Sequence, residues 1–196
     1  MFKQLLRSFI LLILLFNCNI IPVLAFTTGK EVVDHLVTVF SMWNGNQLQT
    51  KLRIETARYI AYQLMAKESI GSINWDKLNN NQKYKYTANF EKMIESKFYP
   101  RWHKLFSKGK LVINNEIKVD DEIYVKSILK LNNESDEIIW KLKNIDGELK
   151  LISLALGEKD LMNKLIHRIK KRYDKLGYDK FIKWLDKSNS NNAETE

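Results

Sequence analysis

The chain has 196 residues, 32 Lys and Arg against 23 Asp and Glu for a formal charge of +9, 45% hydrophobic residues and one Cys. That length supports one domain with a real core, and a single Cys excludes an intramolecular disulfide and a Cys-cluster metal site. The positive balance suits contact with anionic headgroups or an acidic partner surface.

The first predicted element is a leader, "MFKQLLRSFILLILLFNCNIIPVLAF". Lys3 and Arg7 make a positive start, Phe9 to Phe16 is unbroken apolar sequence, and Val23-Leu24-Ala25 fits the small-residue rule for cleavage. The apolar run is shorter than the roughly 20 residues of a spanning helix. Residues 1–25 therefore read as a cleaved secretory signal. Asn17 before Cys18 argues against lipidation, where a small residue precedes the Cys. Cleavage takes away the only Cys and two cations, so the remaining chain carries +7 and no thiol. Export without disulfides suits a bacterial periplasm, where nucleic acid is disfavoured as a partner.

The mature chain opens with helical stripes. "GKEVVDHLVTVF" places Val32, Val33, Leu36, Val39 and Phe40 on one face. A second helix is expected over residues 48–66 with Ala57, Ile60, Ala61 and Leu64 inward, and Gly71 reads as a stop. From Gln82 to Phe98 the residues Tyr86, Phe90, Ile94 and Phe98 recur every fourth position, with Met93 beside them. Pro100 in "YPRW" is expected to bend or end that helix.

The texture then changes. "KLVINNEI", "DEIYVKSILKL", "DEIIWKLKN" and "ELKLISLAL" are four strand-like runs joined by short turns, which makes an antiparallel meander. Asp146-Gly147 is its most specific turn signal. The last run raises a question. Leu149 and Leu151 alternate with Lys150, but Ile152, Leu154 and Leu156 then stand where solvent-facing groups should be. A strand apolar on both faces needs cover on both. That cover is either helices packed on each side or, in part, an apolar ligand.

The chain closes with "EKDLMNKLIHRIKKRYDKL", striped by Leu161, Leu165 and Ile169 and ended by Gly177. A short helix with Phe181, Ile182, Trp184 and Leu185 follows. Residues 26–187 read as one α+β domain of N-terminal helices, a four-stranded twisted antiparallel sheet and C-terminal helices, enclosing either dry cores or an apolar cavity, and residues 188–196 as a disordered tail.

A search for chemistry is nearly empty. His35, His103 and His167 fall on three separate predicted elements without metal-ligand spacing. There is no phosphate-binding Gly-rich loop and no nucleophile elbow. Asp120-Asp121 and Asp136-Glu137 sit at strand starts, where neighbours point to opposite faces and cannot share one site. The densest basic run is "HRIKKRYDK", in which Arg168, Lys171 and Arg172 share a helix face. It reads as a solvated face or as docking for headgroups or an acidic partner.

The order of these motifs resembles a known family. "YIAYQLMAKESIGSINWDKLNNNQKYKYTANFEKMI", with Gly71, Trp75, Leu78, Gln82, Phe90 and Ile94 in place, is similar to the central helices of the MlaC, or toluene-tolerance, family of periplasmic phospholipid-binding proteins. "YPRW", "IWKLKNIDGELKLISLAL" and "LGYDKFIKWL" follow in the family's order. Two positions depart from it: Leu151 stands where a Gly is usual, and "LGEKDL" stands where a Tyr-Arg pair is common. The resemblance implies a non-enzymatic carrier that moves phospholipid between an outer-membrane lipoprotein complex and an inner-membrane transporter with an MCE-domain ring. It implies no cofactor beyond the lipid cargo. The inward stripes then nominate Leu64, Phe90, Ile94, Val125, Trp140, Ile152, Leu154 and Leu156 as tail contacts, and Arg168, Lys171 and Arg172 as the docking face. The alternative is an exported α+β scaffold with dry cores and no ligand.

Overall fold

The structure, a computed structural model, describes residues 26–43 and 50–193; the leader expected over residues 1–25 lies outside the described residues. Helix α1 (Gly29–Ser41) starts from a capping box in which the Thr28 hydroxyl accepts the Glu31 amide and the Glu31 carboxylate reaches back to the Thr28 amide. Helices α2 (Thr50–Arg58), α3 (Tyr62–Ile70) and α4 (Ser72–Asp76) follow. The single helix expected over residues 48–66 is thus broken at Tyr59–Ala61. The physical reason is tertiary: Leu151 donates to the Tyr59 carbonyl and the Ala61 amide donates to Leu151, at 2.8 and 2.9 Å. The segment pairs with an otherwise open sheet edge, and those backbone groups are worth more there than in a helix.

Helix α5 (Asn80–Phe106) is capped by Asn79 and Gln82. Of the two outcomes expected at Pro100, a bend or an end, the end does not occur: the helix continues through it to Phe106. Pro100 removes one donor at a cost of roughly 3 kcal/mol, and burial of Tyr99, Trp102 and Phe106 on the same turns offsets it.

Strands β1 (Lys110–Val119), β2 (Glu122–Leu131), β3 (Glu134–Ile145) and β4 (Glu148–Leu156) form the meander, joined by two-residue turns. At Asp146-Gly147 both φ values are positive, 54° and 84°, which a type I′ hairpin requires. A two-residue β5 (Lys159–Asp160) makes the sheet five-stranded rather than four, in the order β1-β2-β3-β4-β5.

The register resolves the question of the last strand. Leu142 pairs with Leu151 and Lys141 with Ser153, so Ile152 is an extra residue in a β-bulge. A bulge resets the alternation by one. Asn144 opposes Leu149, Leu142 opposes Leu151, Trp140 opposes Leu154 and Ile138 opposes Leu156. Directly paired residues share a face. The four leucines therefore all point to one side, and the second apolar face expected of this strand does not exist apart from Ile152.

That one inner side meets the helices. α1 lies so close that a Cβ on Gly29 would stand 2.8 Å from Val125 Cγ2 and 2.9 Å from Ile123 Cγ2. Phe106 of α5 stacks on Trp140 at 5.6 Å. Trp140 is fully buried, and its indole Nε1 donates to Ser127 Oγ at 2.9 Å. Helix α6 (Leu161–Ala193) closes the domain, with a sharp kink at Gly177 (φ 67°). It extends past residue 187, where the folded domain was expected to end, and Asn189 Nδ2 donates to the Asn89 carbonyl at 3.1 Å. The buried apolar residues form one continuous cluster from Trp140 to Phe181, not two separate cores. Among the described residues, no helix is long and apolar enough to cross a membrane.

Candidate functional site

The site is built by α5 and α6. Asp160 fixes where α6 begins: its Oδ1 accepts the Asn163 amide at 2.8 Å, an N-cap, and also the Ser153 hydroxyl of β4 at 2.9 Å. Beyond the kink the chain is tied back to α5, where Tyr178 OH donates to the Gln82 carbonyl at 3.0 Å. The fold-back sets Phe181 against Tyr86 and Tyr173, at 5.6 and 5.3 Å, and brings Trp184 under Arg172, whose guanidinium lies 4.9 Å from the indole.

Between the two helices lies a groove of about 600 Å³, inside the roughly 300–1,000 Å³ range of small-molecule sites. Its floor is apolar: Met93 and Phe98 from α5, and Leu161, Leu165, Ile169 and Trp184 from α6. Its rim is cationic: Lys97 and Arg101 from α5, and Lys164, Arg168, Lys171, Arg172 and Lys175 from α6. No carboxylate lines it, and among the described residues none of the seven cations is in an ion pair. Burial, together with the facing charges of Arg168 and Arg101, holds the Lys97 ammonium below its ordinary pKa. A shallower concavity of about 520 Å³ shares Arg101 and continues past Lys104 and Lys108 toward the β2–β3 turn.

An amphipathic cavity of this kind fits a molecule with an anionic end and an apolar body. No Ser, Thr, Cys, Tyr, His, Asp or Glu side chain lines it. Among the described residues, no three His, Cys, Asp or Glu side chains are grouped to hold a metal ion. The histidines sit apart. His35 packs against both Phe26 and Tyr59, whose rings also touch each other, His103 Nδ1 lies 3.2 Å from the Phe40 carbonyl, and His167 is exposed.

The three residues nominated for docking, Arg168, Lys171 and Arg172, all stand on the groove rim. None of the eight nominated tail contacts lines it. Phe90, Ile94, Val125, Trp140 and Leu154 belong to the continuous core, with Leu156 packed partly buried against it. Leu64 is half-buried on α3, and Ile152 is buried at the bulge outside that cluster. Sequence reasoning missed Lys97, Arg101, Phe98 and Trp184. A signal was present on α5, where Lys97, Arg101 and Lys104 recur every three or four residues beside the apolar stripe.

Comparison with known proteins agrees with this architecture. The sequence profile of the MlaC protein family matches residues 30–187. Among curated proteins, none matches the sequence significantly. Among solved structures, a phospholipid-binding protein from Ralstonia solanacearum, determined in complex with a phospholipid, is similar with a TM-score of 0.71 and 14% identity, covering 84% of this chain and 96% of that one. With a profile match over that span of its sequence, the chain belongs to the MlaC family.

Proposed function

We propose that this protein is a periplasmic phospholipid carrier, moving glycerophospholipid between the outer and inner membranes and so maintaining outer-membrane lipid asymmetry. Family membership over residues 30–187 is the observation that carries this. The fold shared with a protein solved around a phospholipid supports it, as does a groove that joins an apolar floor to a cationic rim. Each CH₂ removed from water is worth about 0.8 kcal/mol, so two long tails represent on the order of 20 kcal/mol, too much to expose in transit. A bilayer buries the tails nearly as well, so loading from a membrane is close to balanced. Direction then comes from the partners, an inner-membrane MCE-domain transporter at one end and an outer-membrane lipoprotein complex at the other. Carriage requires no catalytic residue.

Native mass spectrometry of residues 26–196, purified from a bacterial periplasm without detergent, tests this. A stoichiometric added mass that is released as glycerophospholipid on denaturation is expected. A bare polypeptide mass, unchanged after incubation with liposomes, would point instead to a ligand-free scaffold.

A further inference from the structure

We propose that the groove between α5 and α6 seats the phosphate of an anionic phospholipid headgroup among Lys97, Arg101 and Arg168, and that the carrier therefore prefers lipids of net negative charge. This rests on the carrier reading and adds a headgroup class to it. Three observations converge. Lys97 is half-buried and faces Arg101 and Arg168 with no carboxylate nearby, so the cluster is repulsive until an anion enters. The cations stand around a concavity rather than on a flat face, which fits a small group better than a protein surface. Directly beneath them Phe98, Leu165 and Ile169 supply an apolar floor for the glycerol and upper acyl chain. A zwitterionic headgroup would bring its ammonium against the same rim, whereas an uncharged headgroup beyond the phosphate would not.

The test is uptake from mixed vesicles. Residues 26–196 are incubated with vesicles of phosphatidylglycerol and phosphatidylethanolamine in equal amounts with matched acyl chains. The protein is re-isolated, and its bound lipid is identified by mass spectrometry. Roughly five- to tenfold enrichment of phosphatidylglycerol is expected at low salt. The enrichment should shrink at about 1 M salt, where the Debye length is about 3 Å. The double variant K97Q/R168Q should lose the enrichment and take up the two lipids in nearly equal proportion. K97R/R168K, which keeps both charges, should retain it. K110Q/K126Q, which removes two charges outside the groove, should behave like the parent.

Equal uptake of the two lipids would overturn the proposal. So would enrichment that survives in K97Q/R168Q, which would leave the rim as a docking face for an acidic protein. Sedimentation with phosphatidylglycerol vesicles without any extracted lipid would show surface attraction only, also against it. Failure to take up either lipid would overturn the carrier reading itself, a result distinct from unselective uptake.

Discussion

Deleting Ile152 should leave the fold standing, whereas deleting Lys150, two residues earlier in the same strand, should not be tolerated nearly as well. Without Ile152 the sequence Leu149-Lys150-Leu151-Ser153-Leu154-Ala155-Leu156 alternates strictly, and the four leucines stay opposite Asn144, Leu142, Trp140 and Ile138 on the inner face. The loss is the side chain of Ile152, 6% exposed, worth about 1.5–3 kcal/mol of burial and partly offset by a regular ladder. Without Lys150 the bulge stays and everything before it slips by one. Leu149, 7% exposed, turns outward, and Glu148 turns inward and leaves its pairing with Arg58. Lost leucine burial and a displaced carboxylate together cost about 4–6 kcal/mol. At roughly 2–4 °C per kcal/mol for a domain of this size, the two melting temperatures should differ by about 10 °C. Urea titrations would measure both free energies, with unchanged slopes for the Ile152 deletion. If that deletion proves as damaging as loss of Lys150, the bulge is not what aligns the leucines.

Other consequences follow from single contacts. Gly29→Ala should destabilise the domain by about 1–3 kcal/mol in chemical denaturation, despite alanine's better helix propensity, because the new Cβ meets the branched side chains of Val125 and Ile123. Trp140→Ala should cost about 3–5 kcal/mol, since it removes the ring stacked on Phe106 and the donor to Ser127 Oγ; calorimetry showing a negligible change would mean the sheet interior is not packed. Lys97→Gln should raise stability by about 0.3–1 kcal/mol at neutral pH, a magnitude discounted for partial solvent screening. Folding lowers the Lys97 pKa, so its charged form opposes folding at every pH below the folded value. That cost fades as pH rises toward about 10.4, and the gain measured for the variant should fade with it.

The meander, its Asp146-Gly147 turn and the helix at Gly29–Ser41 were legible because each rests on local chemistry: alternation, a turn that needs positive φ, a capping box. The misread places depend on partners distant in sequence. Tyr59–Ala61 leaves a good helical pattern because Leu151 offers hydrogen bonds. Pro100 stays helical because Tyr99 and Trp102 are buried on either side. Ile152 made β4 look apolar on both faces because a bulge inserts one residue without any Gly or Pro to mark it. Half of the groove could be read from "HRIKKRYDK", but the matching cations at Lys97 and Arg101 lie on another helix, and only packing sets the two rows face to face.

The most direct test of where cargo sits is photo-cross-linking with a phosphatidylglycerol that carries a diazirine near the glycerol end of one acyl chain. Delivered from vesicles to the mature protein, irradiated and mapped by peptide mass spectrometry, it should mark the groove floor at Phe98, Leu161, Leu165 and Trp184. Adducts confined to Val125, Trp140, Leu154 or Leu156 would place the tails under the sheet and remove the groove from the carrier's function.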